Sequence, residues 1–535
     1  MAPWPLKVAS ALSLVISLCA QEPDLTRLRK DVYALASPAM EGRATGTEGQ
    51  RRALKFLSQS FHEAGLVPLK SPSGMDPYAL PYTLVRTKLD LGDSTFSIGN
   101  TSLKLGEDIL TARTQAATGD LLFIGFGIHA PDLKWDDYAG QDLKGRWVAM
   151  WEGRPQGPDG ANADGWNRAG QTETKLAWAR KAGVAGCLFI QVRPDKEAGF
   201  GRLRVFLSRF AKRGQLALKG SAVHEAQIMW MSAEAAKSFQ LELKPLSRPE
   251  PPRSLGQLVY LPKATTEEIS AANLAGVIPG VSPELKDDFI VLSAHHDHLG
   301  MAGGRLHPGA DDNASGTAAI LEVARLLKDS KPRRSILVLS VSGEELGLWG
   351  SQAFVEAPPV ALSRIKADIN VDMVGRNAVD ELSVTPAQIE GAVGTLTRDA
   401  RELASREGLT LTREADKYWT RSDHFTFAKR GIPCLFFFGG MHSDYHEPTD
   451  TPDKIDFEKI ARVARLVRDL ALRVANADGQ PKALSKEVWA AWTWPLVSIR
   501  GGLNGRFAPS ASPPGPPPPG RETRPGGLPP VQKPR

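Results

Sequence analysis

Four apolar stretches of this chain each run directly into side chains that can bind metals. Phe289 to Ala294 is followed by His295-His296-Asp297-His298, and a short loop later by Gly309-Ala310-Asp311-Asp312-Asn313-Ala314-Ser315-Gly316. Ile336 to Val341 leads into Gly343-Glu344-Glu345, and Ile365 to Val371 into Asp372. Pro433 to Phe438 leads into a loop carrying His442, Asp444, Tyr445, His446 and Asp450. An unpaired carboxylate is costly to bury, so charged residues seldom follow a buried strand without a partner. Here they follow every one of the four. Imidazole and carboxylate without thiolate suit Zn2+ in a hydrolytic site. The donors outnumber what one zinc needs, and they suit two metal ions ~3.5–4 Å apart that share a carboxylate. Such a pair lowers the pKa of a water between them, which is the chemistry of metal-assisted hydrolysis.

The four stretches read as buried strands, and the segments between them as loops and helices. Ser315 to Lys328 is amphipathic at helical spacing. Asp456 caps a last helix with Ile460, Val463, Ala464, Val467, Leu470, Ala471 and Val474 on one face. Alternating strands and helices predict an α/β fold: a mostly parallel or mixed sheet sandwiched by helices. In such sheets functional groups collect beyond the carboxyl ends of the strands, where these donors stand. Residues 25–66 are largely helical, interrupted by the loop Glu41-Gly42-Arg43-Ala44-Thr45-Gly46. Residues 86–261 differ. Short strand-like runs alternate with turns, with one helix near Lys175 to Ala182, as in an inserted β-rich module. The expected organisation is a leader over 1–20, a first segment of the α/β domain over 21–85, the insert over 86–261, a second segment of that domain with the metal site over 262–484, and a tail over 485–535.

The set H-x-D, G-A-D-D-N-A-S-G, E-E-L-G, D-M-V-G and Y-H-x-P-x-D-T resembles the co-catalytic di-zinc aminopeptidases, the exopeptidase family that includes glutamate carboxypeptidases and the inactive transferrin receptor. The similarity covers roughly residues 25–475, with the motifs in the family's order. It implies the zinc exopeptidase fold and two Zn2+ per chain. His295 and Asp372 would hold one ion, Glu345 and His446 the other, and Asp312 would bridge them, with Asp311 the second choice for the bridge. It implies a cis peptide bond after the bridging Asp. Glu344 would be the general base, Asp297 the partner orienting His295, and Tyr445 a donor to the oxyanion. His296, His298, His307, His424 and His442 are read as non-ligands, because the five motif positions already fill the site. Asp423 and Arg421 lie in a segment that resembles a family loop near the pocket. The insert resembles a protease-associated domain through Gly125 to Ala130, Trp135-Asp136-Asp137-Tyr138 and Asp142-Leu143-Lys144-Gly145.

The implied activity is removal of N-terminal residues from peptides with a free N-terminus. A carboxypeptidase or dipeptidase of the same fold would keep the site and change the substrate. A catalytically inactive binding protein on this scaffold is the contrasting class, and the intact ligand set with Glu344 argues against it. A glutaminyl cyclase is disfavoured because both His295 and Asp372 are present for a second zinc. There is no H-E-x-x-H, G-x-S-x-G or P-loop, and Gly125 to Ala130 is followed by Pro131 rather than a helix, so it is no dinucleotide fingerprint.

Composition fits a globular protein: 535 residues, 42% hydrophobic and 24% charged. The three cysteines, Cys19, Cys187 and Cys434, exclude a disulfide framework. Lys7 followed by the apolar run Val8 to Leu18 reads as a secretory signal peptide cut near Ala20, with a lipoprotein at Cys19 the weaker choice. The mature protein is expected to be secreted or periplasmic, with no integral membrane segment. The formal charge of +6 resides in the ends. Residues 500–535 hold six basic residues and one acid, and the leader holds Lys7, so residues 21–499 are neutral. The balance therefore assigns no nucleic-acid partner to the folded body. The Pro- and Gly-rich tail cannot bury enough apolar surface to offset its ordering entropy. The sequence assigns no oligomeric state.

Overall fold

The computed structural model describes residues 21–69, 76–155, 163–192, 200–221, 227–243, 248–387 and 395–482. The expected leader, the tail and Trp489, Trp492 and Trp494 lie outside these residues. Helices α1 (Leu25–Leu35) and α2 (Glu48–Glu63) come first. Asp24 caps α1 by accepting from the amides of Thr26 and Arg27, and Thr47 caps α2 by accepting from Gln50. The chain then enters a long strand, β1 (Ala79–Ile98), and passes through β2 (Ala117–Phe123), β3 (Trp147–Trp151), β4 (Gly186–Ile190) and β5 (Gln227–Met231). It returns along β6 (Arg253–Ile278), which pairs antiparallel with β1 from Leu258 to Leu274. The expected insert boundaries, 86 and 261, both fall inside this continuous two-stranded ribbon.

Strands β2 to β5 pair in parallel. Parallel neighbours need crossover connections. Accordingly four helices stand among the described residues of the insert: Ala163–Ala169, Thr172–Lys181, Phe200–Arg213 and Ala233–Lys237. The sequence reading expected one. Arginines dense along Phe200–Arg213 obscure the apolar spacing of Phe200, Leu203, Leu207 and Ala211. Around this sheet Phe96, Phe123, Phe126, Trp135, Trp147 and Tyr260 close an apolar cluster separate from the one beyond β6.

Beyond β6 come β7 (Phe289–His295), α3 (Gly316–Leu326), β8 (Ser335–Val341), α4 (Trp349–Glu356), β9 (Ile365–Asp372), β10 (Glu381–Thr385), α5 (Thr395–Arg406), β11 (Thr410–Thr412), β12 (Cys434–Phe438) and α6 (Phe457–Asn476). The sheet order is β11-β10-β12-β9-β7-β8-β6, with β8, β7, β9 and β12 parallel to one another. Their side chains alternate between two apolar layers. Ile290, Leu292, Ala294, Ile336 and Val338 face α1, α2, α3 and α6, whereas Val291, Leu337, Leu339 and Val341 pack with Phe354, Val355 and Phe427. This is the α/β sandwich the alternation predicts. Parallel register sets Ser293 opposite Asn370 and Asp372 opposite Phe438, so His295 and Asp372 emerge at the same sheet end. Cys187 and Cys434 are buried and free. Among the described residues no helix is long and apolar enough to cross a membrane.

Candidate metal centre

The carboxyl ends of β7, β8 and β9 and the loop after β12 converge. His295 Nε2 lies 3.2 Å from Asp372 Oδ1 and 3.4 Å from Asp312 Oδ1. His446 Nε2 lies 3.0 Å from Glu345 Oε2 and 3.2 Å from Asp312 Oδ2. The two oxygens of Asp312 thus face two different clusters. Asp312 reaches this position from a tight turn, Ala310–Ser315, leading into α3, and the Asp312–Asn313 peptide bond is cis. The amides of Asp311 and Asp312 both donate to the buried Asp450 carboxylate. Asp311 itself turns away: its Oδ1 accepts from Gly375 N at 2.7 Å and its Oδ2 lies 3.2 Å from His442 Nε2. Asn313 accepts from the amides of Gly316 and Met373 and donates to Val371 O, and it is wholly buried.

Charge in this pocket is one-sided. Burial pushes Glu344 well above the usual carboxylate range, with Glu345 beside it adding to the rise. Burial raises Asp372 as well, against the pull of His295. Asp423 is pushed up to about 7 by burial. The imidazoles respond in the opposite sense. Burial works against their charge, yet Asp372 and Asp297 lift His295 well above its ordinary value, and Glu345 and Asp312 lift His446 to about 11. The carboxylates call for positive charge between them. His446 Nε2 is buried, and neither nearby carboxylate meets it in hydrogen-bond geometry. A cation shared by these atoms fits that arrangement better than hydrogen bonds do. The donor set, imidazole and carboxylate without sulfur, fits zinc.

Residues 273–471 match the model of peptidase family M28. This part of the chain is similar to that family. Aminopeptidase YwaD of Bacillus subtilis is 29% identical over 213 residues, 38% of this chain and 45% of YwaD. A probable leucine aminopeptidase of Arthroderma otae is 31% identical over 219 residues, 38% of this chain and 58% of its own length. The chain thus spans about half the length of these curated relatives. Among solved structures, an aminopeptidase from Aneurinibacillus sp. strain AM-1 aligns with a TM-score of 0.48 at 20% identity, over 87% of this chain and 96% of that one.

Within and beside the matched residues the remaining expected site residues fall as follows. Glu344 and Glu345 follow Gly343, whose φ of 71° admits glycine and whose absent Cβ would meet Tyr82 Oη at 2.9 Å. Tyr445 stacks on His446 with ring centroids 3.8 Å apart, and burial raises its phenol, which keeps the proton. Asp297 meets His295 Nδ1 through its main-chain oxygen at 3.2 Å, with its Oδ1 at 3.7 Å. The carboxylate is also hydrogen-bonded by Thr45 Oγ1 and by Glu344 N.

The expected non-ligands differ among themselves. His296 Nδ1 lies 3.0 Å from Ser340 Oγ, and burial pushes the ring down to about 4. His424 stacks on Phe436 at 4.6 Å and is pushed down to about 3 by burial. His307 Nδ1 lies 3.1 Å from His446 O. His298 enters the cluster, its Nδ1 2.8 Å from Glu345 Oε1 and 3.7 Å from Asp312 Oδ2. His298, Asp312 and Glu345 form one group able to hold an ion, and His295, Asp312 and Asp372 the other. Sequence reasoning assigned nothing to Arg43 and Thr45, which the structure places directly behind the centre. Arg43 donates to His296 O, Pro308 O and Gly309 O. An arginine between two glycines, breaking a helical segment, was the available signal.

Proposed function

We propose that this protein is a secreted zinc aminopeptidase that hydrolyses N-terminal residues from peptides. The observation that carries the proposal is the division of Asp312 between two clusters, His295 with Asp372 and His446 with Glu345, one residue from a non-ligating carboxylate, Glu344. His295, Asp372, Glu345, His446 and the shared Asp312 would hold two Zn2+. Zinc bound there supplies Lewis acidity toward a carbonyl and a lowered pKa for water. Glu344 takes a proton from the attacking water and returns it to the leaving amine. Its burial beside Glu345 raises its affinity for that proton. Tyr445, protonated and stacked on His446, donates to the oxyanion. Asp423, a buried carboxyl outside the ligand set, would favour a cationic substrate group, as the free α-ammonium of a peptide is. The apolar leader supports export, and the resemblance of the insert to a protease-associated domain supports a role for it beside the substrate.

The test is a substrate panel on purified protein: aminoacyl-nitroanilides, N-blocked peptides and glutamate-terminated dipeptides. Cleavage of blocked but not free N-termini would sink the aminopeptidase reading in favour of a carboxypeptidase or dipeptidase. Glu344→Gln should lower kcat by about 10²-fold or more with zinc content unchanged. A variant that keeps most of its turnover would remove Glu344 from the role of base.

A further inference from the structure

Thr45 lies in the Glu41-Gly42-Arg43-Ala44-Thr45-Gly46 loop, some 250 residues before the metal ligands in sequence, and is buried against them. Its hydroxyl donates to Asp297 Oδ2 at 2.9 Å and accepts from Gly343 N at 2.9 Å. The next amide, Glu344 N, donates to Asp297 Oδ1 at 3.3 Å. Asp297 in turn accepts from His295 Nδ1 through its main-chain oxygen. The two amides that lead into Glu344 belong to neither a strand nor a helix, so no ladder holds them. One hydroxyl and one carboxylate hold both, and the same carboxylate residue abuts the imidazole of a metal ligand.

From this geometry we infer that Thr45 is a positioning residue: with Asp297 it fixes the turn carrying the general base relative to the His295 end of the metal centre. The inference rests on the reading of Glu344 as base. The Thr45 hydroxyl makes both of its hydrogen bonds behind the centre, to Asp297 and to Gly343 N. The rest of its loop is built to hold it still. Arg43 is bonded to the His296 carbonyl, Gly42 sits where a Cβ would meet His307 O at 2.4 Å, and Gly46 sits where a Cβ would meet Ile269 Cγ2 at 2.1 Å.

The test compares Thr45→Val, which keeps shape and loses the hydroxyl, with Thr45→Ser, which keeps the hydroxyl. Thr45→Val should lower kcat by about tenfold or more and leave KM within about twofold. Zinc content should match the wild type, and Thr45→Ser should restore kcat to within about threefold. A merely structural role would lower the folded, zinc-loaded fraction without changing kcat per active site. Three results would overturn the inference: Thr45→Val with kcat within about twofold of wild type, Thr45→Ser as impaired as Thr45→Val, or a loss explained wholly by missing zinc. Should Thr45→Val fail to fold, Thr45→Ala against Thr45→Ser makes the same comparison, with thermal unfolding run alongside. Glu344→Gln is the control. If it stays active, the base reading falls and this inference with it; if it is dead while Thr45→Val is unimpaired, only this inference falls.

Discussion

Arg43 is wholly buried and its guanidinium is bonded on all sides by main-chain oxygens. Nε donates to His296 O at 2.8 Å, Nη1 to Leu35 O and Pro308 O at 2.6 and 2.7 Å, and Nη2 to Gly309 O at 2.8 Å. These oxygens belong to three segments: the end of α1, the residues after β7, and the entry to the Asp312 turn. A hydrogen bond from a charged donor contributes about 1.5–3 kcal/mol net, so four give roughly 6–12 kcal/mol. Burial opposes this, pushing the guanidinium from 12.5 down to about 10, although Asp312 and Asp297 pull the other way. At about 1.4 kcal/mol per unit, that shift offsets about 3 kcal/mol. Arg43→Met supplies apolar volume but no donors, and it takes the side-chain donor from the carbonyls of Leu35, His296 and Pro308, whereas Gly309 O keeps the Ala314 amide. The expected loss is about 3–8 kcal/mol, a large share of the ~5–15 kcal/mol that holds a typical protein folded. Arg43→Lys keeps the charge but not the planar fork, and should lose about half as much. Urea unfolding followed by circular dichroism measures the loss, and the zinc content of the folded fraction shows whether the Asp312 turn survives. An Arg43→Met protein within about 1 kcal/mol of wild type, with normal zinc content, would refute the reasoning.

Asp312→Asn should weaken metal binding at both clusters, whereas Asp372→Asn should weaken only the one shared with His295. Calorimetric zinc titration distinguishes them, and two wild-type-like binding steps in Asp312→Asn would exclude the shared carboxylate. His298→Ala should reduce affinity at the Glu345 cluster by about 10–100-fold, read in the same titration, because Glu345 loses its 2.8 Å partner. In the insert, burial pushes the Lys175 ammonium from 10.5 down to about 7, against Asp137 and Glu152, while its Nζ donates to Trp151 O. The folded pKa lies below the unfolded one, so between about pH 7 and 10 the unfolded chain holds the extra proton and stability rises with pH, by a few kcal/mol across the window. Urea midpoints at pH 7 and 9.5 should therefore diverge in the wild type and converge in Lys175→Met, and a flat wild-type profile would count against the shift.

Much of the centre was legible in the chain itself. A continuous apolar run of seven or so residues is a strand buried on both faces, and parallel strands present their carboxyl ends together. His295, Glu344, Glu345 and Asp372 each stand directly after such a run, so their convergence followed from local pattern and one topological rule. The helix over 457–476 was equally plain, since the Asp456 cap and the apolar stripe are local. The insert was less legible. Its helices were underestimated because crossovers are dictated by strand pairing, and pairing joins residues far apart in sequence.

Side-chain direction was a tertiary matter. Asp311 and Asp312 are adjacent carboxylates in one motif, and nothing local separates them. Gly375 and His442 draw Asp311 to one side, while the Asp450 carboxylate, accepting both backbone amides, leaves Asp312 facing the imidazoles. Asp297 does stand at His295, with Oδ1 3.7 Å from Nδ1, but its carboxylate is also engaged by Thr45 and Glu344 N, which nothing local announces. Arg43 and Thr45 carry no signature of the site because their partners are main-chain groups and the Asp297 carboxylate, about 250 residues away. The sequence by itself thus determined which residue types gather at one end of the sheet, because burial and strand direction are set by local pattern. Only the folded chain decided which oxygen faces which nitrogen and what holds the turn at Glu344 in place, because those depend on hydrogen bonds that close over hundreds of residues.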